Sequence, residues 1–321
     1  MITHRNILYA LRLAEVGNYR RTAESLHITH SALVRGIKVL EDSLEVRLFD
    51  RGGGVKVTPT AIGEAFLEHA KKVVIAEADL VQDIQALKGL DKGLLRVAMG
   101  SFPSKLCGYI STGMFLQKHP FMNVKISILQ YSKVAESVLR RDSEVGITEL
   151  CQLTGNDEMV IEPLGQHKGA FFCRPGHPLL NRGAITISDL MDYPWCCTKM
   201  PSRISEHLPD DLGRAGGYDM ITGELIPAIE VDVIGDVEGI IKNSDTLCPT
   251  ALLMFEAELQ AGTFSVVPLH KPWMVSNYGF VYLKHRNLSP SVRAFMDIVK
   301  KVEHELFAKE EIIAKTINWN S

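Results

Sequence analysis

The sequence has six cysteines (Cys107, Cys151, Cys173, Cys196, Cys197, Cys248), but no C-x-x-C pair and no zinc-type spacing among them. The default is therefore reduced, mostly buried thiols. No apolar run approaches the ~18 residues that a membrane-spanning helix needs. The opening residues Met1 to Arg5 lack the apolar stretch of an export signal, so a cytoplasmic protein is expected, with no membrane partner. There is no G-x-G-x-x-G, no P-loop, no H-E-x-x-H and no G-x-S-x-G. No cofactor is implied, and an enzyme is disfavoured. His27 and His30 stand three apart without a third ligand nearby, so no metal site is expected.

Net charge is small at −3, but it is unevenly spread. Residues 1–60 hold nine Lys/Arg against six Asp/Glu, or +3, which leaves 26 against 32, or −6, for the remainder. A mildly basic head on an acidic body suits a nucleic-acid reader joined to something else. At 46% hydrophobic residues the 321-residue chain can bury real cores, and its length predicts two or three units.

The run from Tyr19 to Leu40 organises the head. Ala23 and Leu26 share one helix face. Leu33, Ile37, Leu40 and Leu44 then recur at four, three and four, the apolar stripe of a second helix. Thr29 can cap it, because its hydroxyl accepts from backbone N–H groups of the first turn. Two short helices with a tight turn between them form a helix-turn-helix. The second helix leaves Thr29, His30, Ser31, Val34, Arg35 and Lys38 off the core, where early residues of such a helix reach base edges in the major groove. Arg47 and Arg51 lie nearby. Gly52-Gly53-Gly54 followed by Val55 to Pro59 reads as a turn and short strand, hence a wing, with Arg51 and Lys56 placed for backbone or minor-groove contact. Gly36 inside the helix either allows close approach to DNA or a neighbour, or is a tolerated surface glycine.

The order Tyr-x-x-x-Ala-x-x-Leu, helix, Leu-x-Val-Arg-Leu-Phe-x-Arg, wing, Thr-Pro-x-x-x-Gly resembles the LysR-type transcriptional regulators. The resemblance is strongest over residues 5–70. It departs from the family pattern at His30-Ser31, where Gln-Pro is usual, at Val34, where Ser is common, and at Glu45, where Gly is usual. It implies an α/β multidomain chain: a winged helix-turn-helix DNA-binding domain (1–59), a linker and dimerisation helix (60–89) and a periplasmic-binding-protein-like effector domain (90–321). That domain would comprise subdomain I, about 90–163 and 269–321, and subdomain II, about 164–268. It further implies double-stranded DNA with a dyad promoter site, a homodimer or homotetramer, RNA polymerase as a partner and a small-molecule effector.

Residues on the linker support the dimer independently. Ile62, Phe66, His69, Val73, Ala76, Leu80, Ile84 and Leu87 advance mostly by fours and threes, a coiled-coil-like seam on a helix roughly 42 Å long. After Gly89, strand–helix–strand–helix–strand patterning over 94–147 predicts a parallel α/β sheet. In such sheets ligands bind beyond the carboxyl ends of the strands. This nominates Ser101, Phe102 and Ser104, then Tyr131 and Ser132, then Thr148 and Glu149. The resemblance adds Cys197 and Thr198 from the second subdomain, along with Lys199 and the turn Asn243 to Thr246. Hydroxyls and helix-start N–H groups suit an organic anion, although Glu149 would repel a carboxylate unless protonated or paired. Two alternatives stay open: a cysteine-based redox switch at Cys196 or Cys197, and a solute-binding protein.

Overall fold

The computed structural model describes residues 2–50, 57–87, 92–151, 153, 157–284 and 286–317. The chain divides into two compact units, Met1–Lys88 and Gly89–Ser321.

The first unit opens with helices His4–Val16, Tyr19–Ser25 and His30–Leu44. Thr3, Asn18 and Thr29 cap them, each side chain accepting from the N–H three residues on. Gly17 ends the first helix in the left-handed conformation, at φ 66°. Leu33, Ile37 and Leu40 pack with Ala10, Leu13 and Ala23 into one core, as their spacing predicts. A Cβ on Gly36 would lie 2.6 Å from the Tyr9 ring, so this glycine serves close packing against the first helix. Glu45 ends the third helix with φ 56°, a conformation in which glycine is less strained. The short strands Phe49–Asp50 and Thr58–Pro59 pair antiparallel. Arg51 and Lys56, expected on the wing between them, lie outside the described residues.

Helix Ala61–Leu87 follows. Phe66 and Leu67 join the helix-turn-helix core. A Cβ on Gly63 would sit 2.0 Å from the Leu48 carbonyl oxygen, which explains a glycine at this approach. Further along, Val73 (51%), Leu80 (60%) and Ile84 (45%) of the expected seam are exposed, as is Ile62 (55%) near its start.

In the second unit a six-strand path runs Cys248–Ala251, Met159–Cys173, Val275–Leu283, Val145–Glu149, Gly93–Met99, Met122–Ile128. Gly93–Met99 is parallel to both of its neighbours, as the strand–helix alternation predicts. The other pairings are antiparallel, because those strands travel to or from the second subdomain. The helical stretch 101–118 and the C-terminal helix Pro290–Thr316 cover one face, through Phe115, Phe295 and Val299. Helix Tyr131–Leu139 covers the other, through Val134 and Val138.

Met159–Cys173 links the two subdomains. Through Lys168 it pairs with Val275–Leu283, and from Gly169 onward with Cys248–Ala251. The chain returns at Met274–Val275: Met274 packs in the second subdomain's core, and Val275 starts the returning strand. The C-terminal helix touches both subdomains, with Phe295 and Val302 in the first core and Ala314 in the second. Beside the crossing, His167 is fully buried between Glu303 and Glu310, each 3.1 Å from a ring nitrogen. Tyr278 donates to Glu303, and Phe307 stacks on the imidazole with centroids 4.6 Å apart. Burial pulls the His167 pKa down, but hydrogen bonds and charge from Glu303 and Glu310 outweigh it and raise the value to about 9. No described helix is long and apolar enough to cross a membrane.

Candidate functional site

Two places bring polar side chains together without an obvious structural need. The first is the outer face of helix His30–Leu44. Thr29 Oγ1 accepts from the Ala32 N–H at 3.2 Å and lies 3.1 Å from Ser31 Oγ. The Tyr19 ring meets His30 edge-on at 6.1 Å, bracing the start of the helix. His30, Ser31, Arg35 and Lys38 are exposed, and Val34 is half-buried. Elsewhere on the unit, Arg12 pairs with Glu15, Arg20 with Glu24 and Lys72 with Glu68. Arg35 and Lys38 enter no ion pair among the described residues. Glu41, one turn past Lys38, accepts from the Leu48 and Phe49 N–H groups at 2.8 and 3.2 Å, fixing the chain where it turns toward the wing. Sequence periodicity does not reveal that contact.

The second place is a cleft between the two subdomains. Gly93–Met99 lies between two parallel neighbours, so the connections leaving the sheet diverge beyond its end. There Ser101, Phe102, Tyr131 and Glu149 line a cavity of about 400 Å³, opposite Cys197 and Thr198. That volume suits a small molecule. Three other nominated residues turn elsewhere. Ser104 donates to the Ser101 carbonyl at 2.7 Å, and Thr148 to the Tyr131 carbonyl at 2.9 Å; these hydroxyls brace the walls. Ser132 and the turn Asn243 to Thr246 do not line the cavity. Lys199 does, as do residues that sequence reasoning missed: Arg203, Glu230 to Ile234 and Trp273 to Ser276.

Arg203 clarifies the awkward Glu149. Its Nε and Nη2 donate to the two Glu149 carboxylate oxygens, each at 3.2 Å, and Nη2 also donates to the Val275 carbonyl at 2.6 Å. Burial pushes the Glu149 pKa up, and the Arg203 charge and hydrogen bonds with the Asn277 and Cys151 N–H groups work against that rise. Arg203 stands on helix Ser202–Ser205 of the second subdomain, and Glu149 ends a strand of the first. The pair therefore clasps the cleft. Two more clasps join it. Tyr131 donates to Glu224 on the far side, and Ser101 Oγ accepts from the Ile234 N–H at 2.9 Å.

Cys196 and Cys197 are buried. Burial raises the Cys196 thiol to about 11, and burial plus nearby negative charge raises Cys197 above its usual value. A reactive thiol needs the opposite, a lowered pKa with access to solvent.

A helix-turn-helix reader joined to a two-lobed body with a ligand-sized cleft defines a class, the ligand-responsive DNA-binding regulators. Residues 4–64 match the model for the bacterial regulatory helix-turn-helix protein, lysR family, and residues 88–303 match the LysR substrate binding domain. The chain belongs to the LysR family of transcriptional regulators. It is 30% identical over 300 residues to the SDS degradation transcriptional activation protein of a Pseudomonas species, covering 92% of this chain and 94% of that one. It is 24% identical over 293 residues to the regulator GbpR of Azospirillum brasilense, covering 90% and 83%. Among solved structures, the LysR regulator CbnR in complex with its target DNA has the same fold, with a TM-score of 0.64 at 18% identity, covering 94% of this chain and 100% of that one. Full-length OxyR from Pseudomonas aeruginosa matches with a TM-score of 0.52 at 17% identity, covering 94% and 100%.

Proposed function

We propose that the chain is a one-component transcription factor that reads a dyad DNA site as a dimer or tetramer and responds to a small organic molecule in the cleft. The reader surface is Thr29 to Lys38, with Arg35 and Lys38 contacting bases or phosphates and His30, Ser31 and Val34 contacting base edges. Arg51 and Lys56 contact the DNA backbone or the minor groove. The exposed seam Val73, Leu80 and Ile84 is the dimer surface. RNA polymerase is the partner through which the bound regulator acts in the cytoplasm.

The observation that carries this reading is the cavity bridged by three cross-cleft hydrogen-bonding clasps. A ligand that displaces or tightens a clasp binds the two cleft states with different affinity, which is what a population shift requires. Buried thiols with raised pKa values weigh against redox sensing. The Pseudomonas relative is tied by name to SDS degradation, which makes an alkyl chain with an anionic head one class to test in this cleft. Footprinting provides the test. Arg35→Ala is expected to lose specific operator binding while still dimerising, and Tyr131→Phe, which removes one clasp, to alter the footprint of an otherwise bound protein. An unchanged footprint for both variants would remove the assignment.

A further inference from the structure

The chemistry of the cleft walls specifies more than a small organic molecule. The inference below rests on the cleft being the effector site. Phe102, Ile128, Met200, Val233 and Trp273 give the cavity a broad apolar lining. Two cations also line it, Arg203 and Lys199. Arg203 is committed, with both carboxylate oxygens of Glu149 and the Val275 carbonyl as its acceptors. Lys199 is only loosely paired. Its nearest acidic oxygen is on Asp219 at 3.9 Å, the outer limit of an ion pair. The other Asp219 oxygen is occupied, accepting from the Ile221 and Thr222 N–H groups. The remaining charged lining residues, Glu230 and Asp232, are acidic and exposed.

One loosely paired cation facing two acids cannot accommodate a polyanion, and a small polar acid would leave the apolar walls wet. We propose that the effector is a monoanionic amphiphile: a single carboxylate or sulfate head held by Lys199, with an apolar body against the Phe102 and Trp273 walls. Arg203 stays with Glu149. The organic-anion expectation is thereby narrowed to one head group and a hydrophobic chain, and Lys199 becomes the residue that selects charge.

Calorimetry on the purified full-length protein tests this with decanoate, decyl sulfate, decanol and butyrate, each below its micelle-forming concentration. Decanoate and decyl sulfate should bind once per chain. Butyrate should bind at least about a hundredfold more weakly, since six methylenes are lost. Decanol should bind about tenfold more weakly than decanoate, because a charge-assisted hydrogen bond is missing. Lys199→Gln should remove that tenfold preference and leave decanol binding unchanged. Trp273→Ala should weaken decanoate and decanol alike. Equal binding of decanol and decanoate by the unaltered protein, an unaffected Lys199→Gln variant, butyrate as tight as decanoate, or many chains bound without saturation would each overturn the proposal. If no alkyl anion binds but Tyr131→Phe still alters the operator footprint, the ligand class falls and the cleft remains the effector site.

Discussion

The outer face of the reader helix and the lips of the cleft both carry charge, and they handle it in opposite ways. Arg35 and Lys38 point outward without an ion pair among the described residues. Glu149 and Arg203 turn inward and satisfy each other across a gap between subdomains. An unpaired surface cation costs little, since water solvates it until a phosphate or base edge takes over. A buried carboxylate without its partner costs several kcal/mol. The first arrangement suits a surface that waits for a macromolecule. The second suits a joint whose state must be held until something specific changes it.

The largest test of that contrast is to strand a buried charge. Arg203→Met leaves Glu149 uncompensated at 5% exposure and should destabilise the effector unit by about 3–5 kcal/mol in urea unfolding. Adding Glu149→Leu should recover most of the loss. If Arg203→Met alone proved neutral, the clasp would be no more than a surface pair. The next effect concerns His167. Its folded pKa of about 9 lies above the ordinary histidine value, so its stabilisation is complete below about pH 6.5 and is lost as pH rises through 9. The contribution is on the order of 3 kcal/mol. Stability measured from pH 7 to 10 should fall, and His167→Gln should flatten that fall. On the reader side, Arg35→Ala should weaken operator binding by about 1–3 kcal/mol, roughly five- to 150-fold, with unfolding unchanged. A variant that lost stability instead would mean that Arg35 belongs with the inward charges. The smallest effect is Glu45→Gly, which should stabilise the reader by about 1 kcal/mol by relieving the left-handed backbone at φ 56°.

The reader was largely legible in the sequence because its information is local. Leu33, Ile37 and Leu40 mark the buried stripe by spacing alone, and Thr29 marks the cap. The cleft was half legible. Strand ends announce themselves, so Ser101, Phe102, Tyr131 and Glu149 were reachable by rule. The local sequence around Ser104 and Thr148 does not show that their hydroxyls fold back onto the main chain. Arg203 and Trp273 were not reachable. Their place depends on where the chain crosses at Lys168–Gly169 and returns at Met274–Val275, which is set by strand register rather than by composition. Glu303 and Glu310 were hidden for a related reason. Carboxylates seven apart on a helix look like a solvated face until a distant strand brings His167 between them.

The crossing region constrains how the cleft works. Two strands pass between the subdomains, and the C-terminal helix spans both, pinned at its waist by His167 and by Gly165, where a Cβ would collide with Phe307 at 2.1 Å. A joint splinted in this way resists gaping like a clamshell. A shallow twist about the splint, sliding the lips past one another, is the motion this packing leaves room to expect. If a guest enters here, this packing predicts a change in the angle between the lobes larger than the change in distance between them.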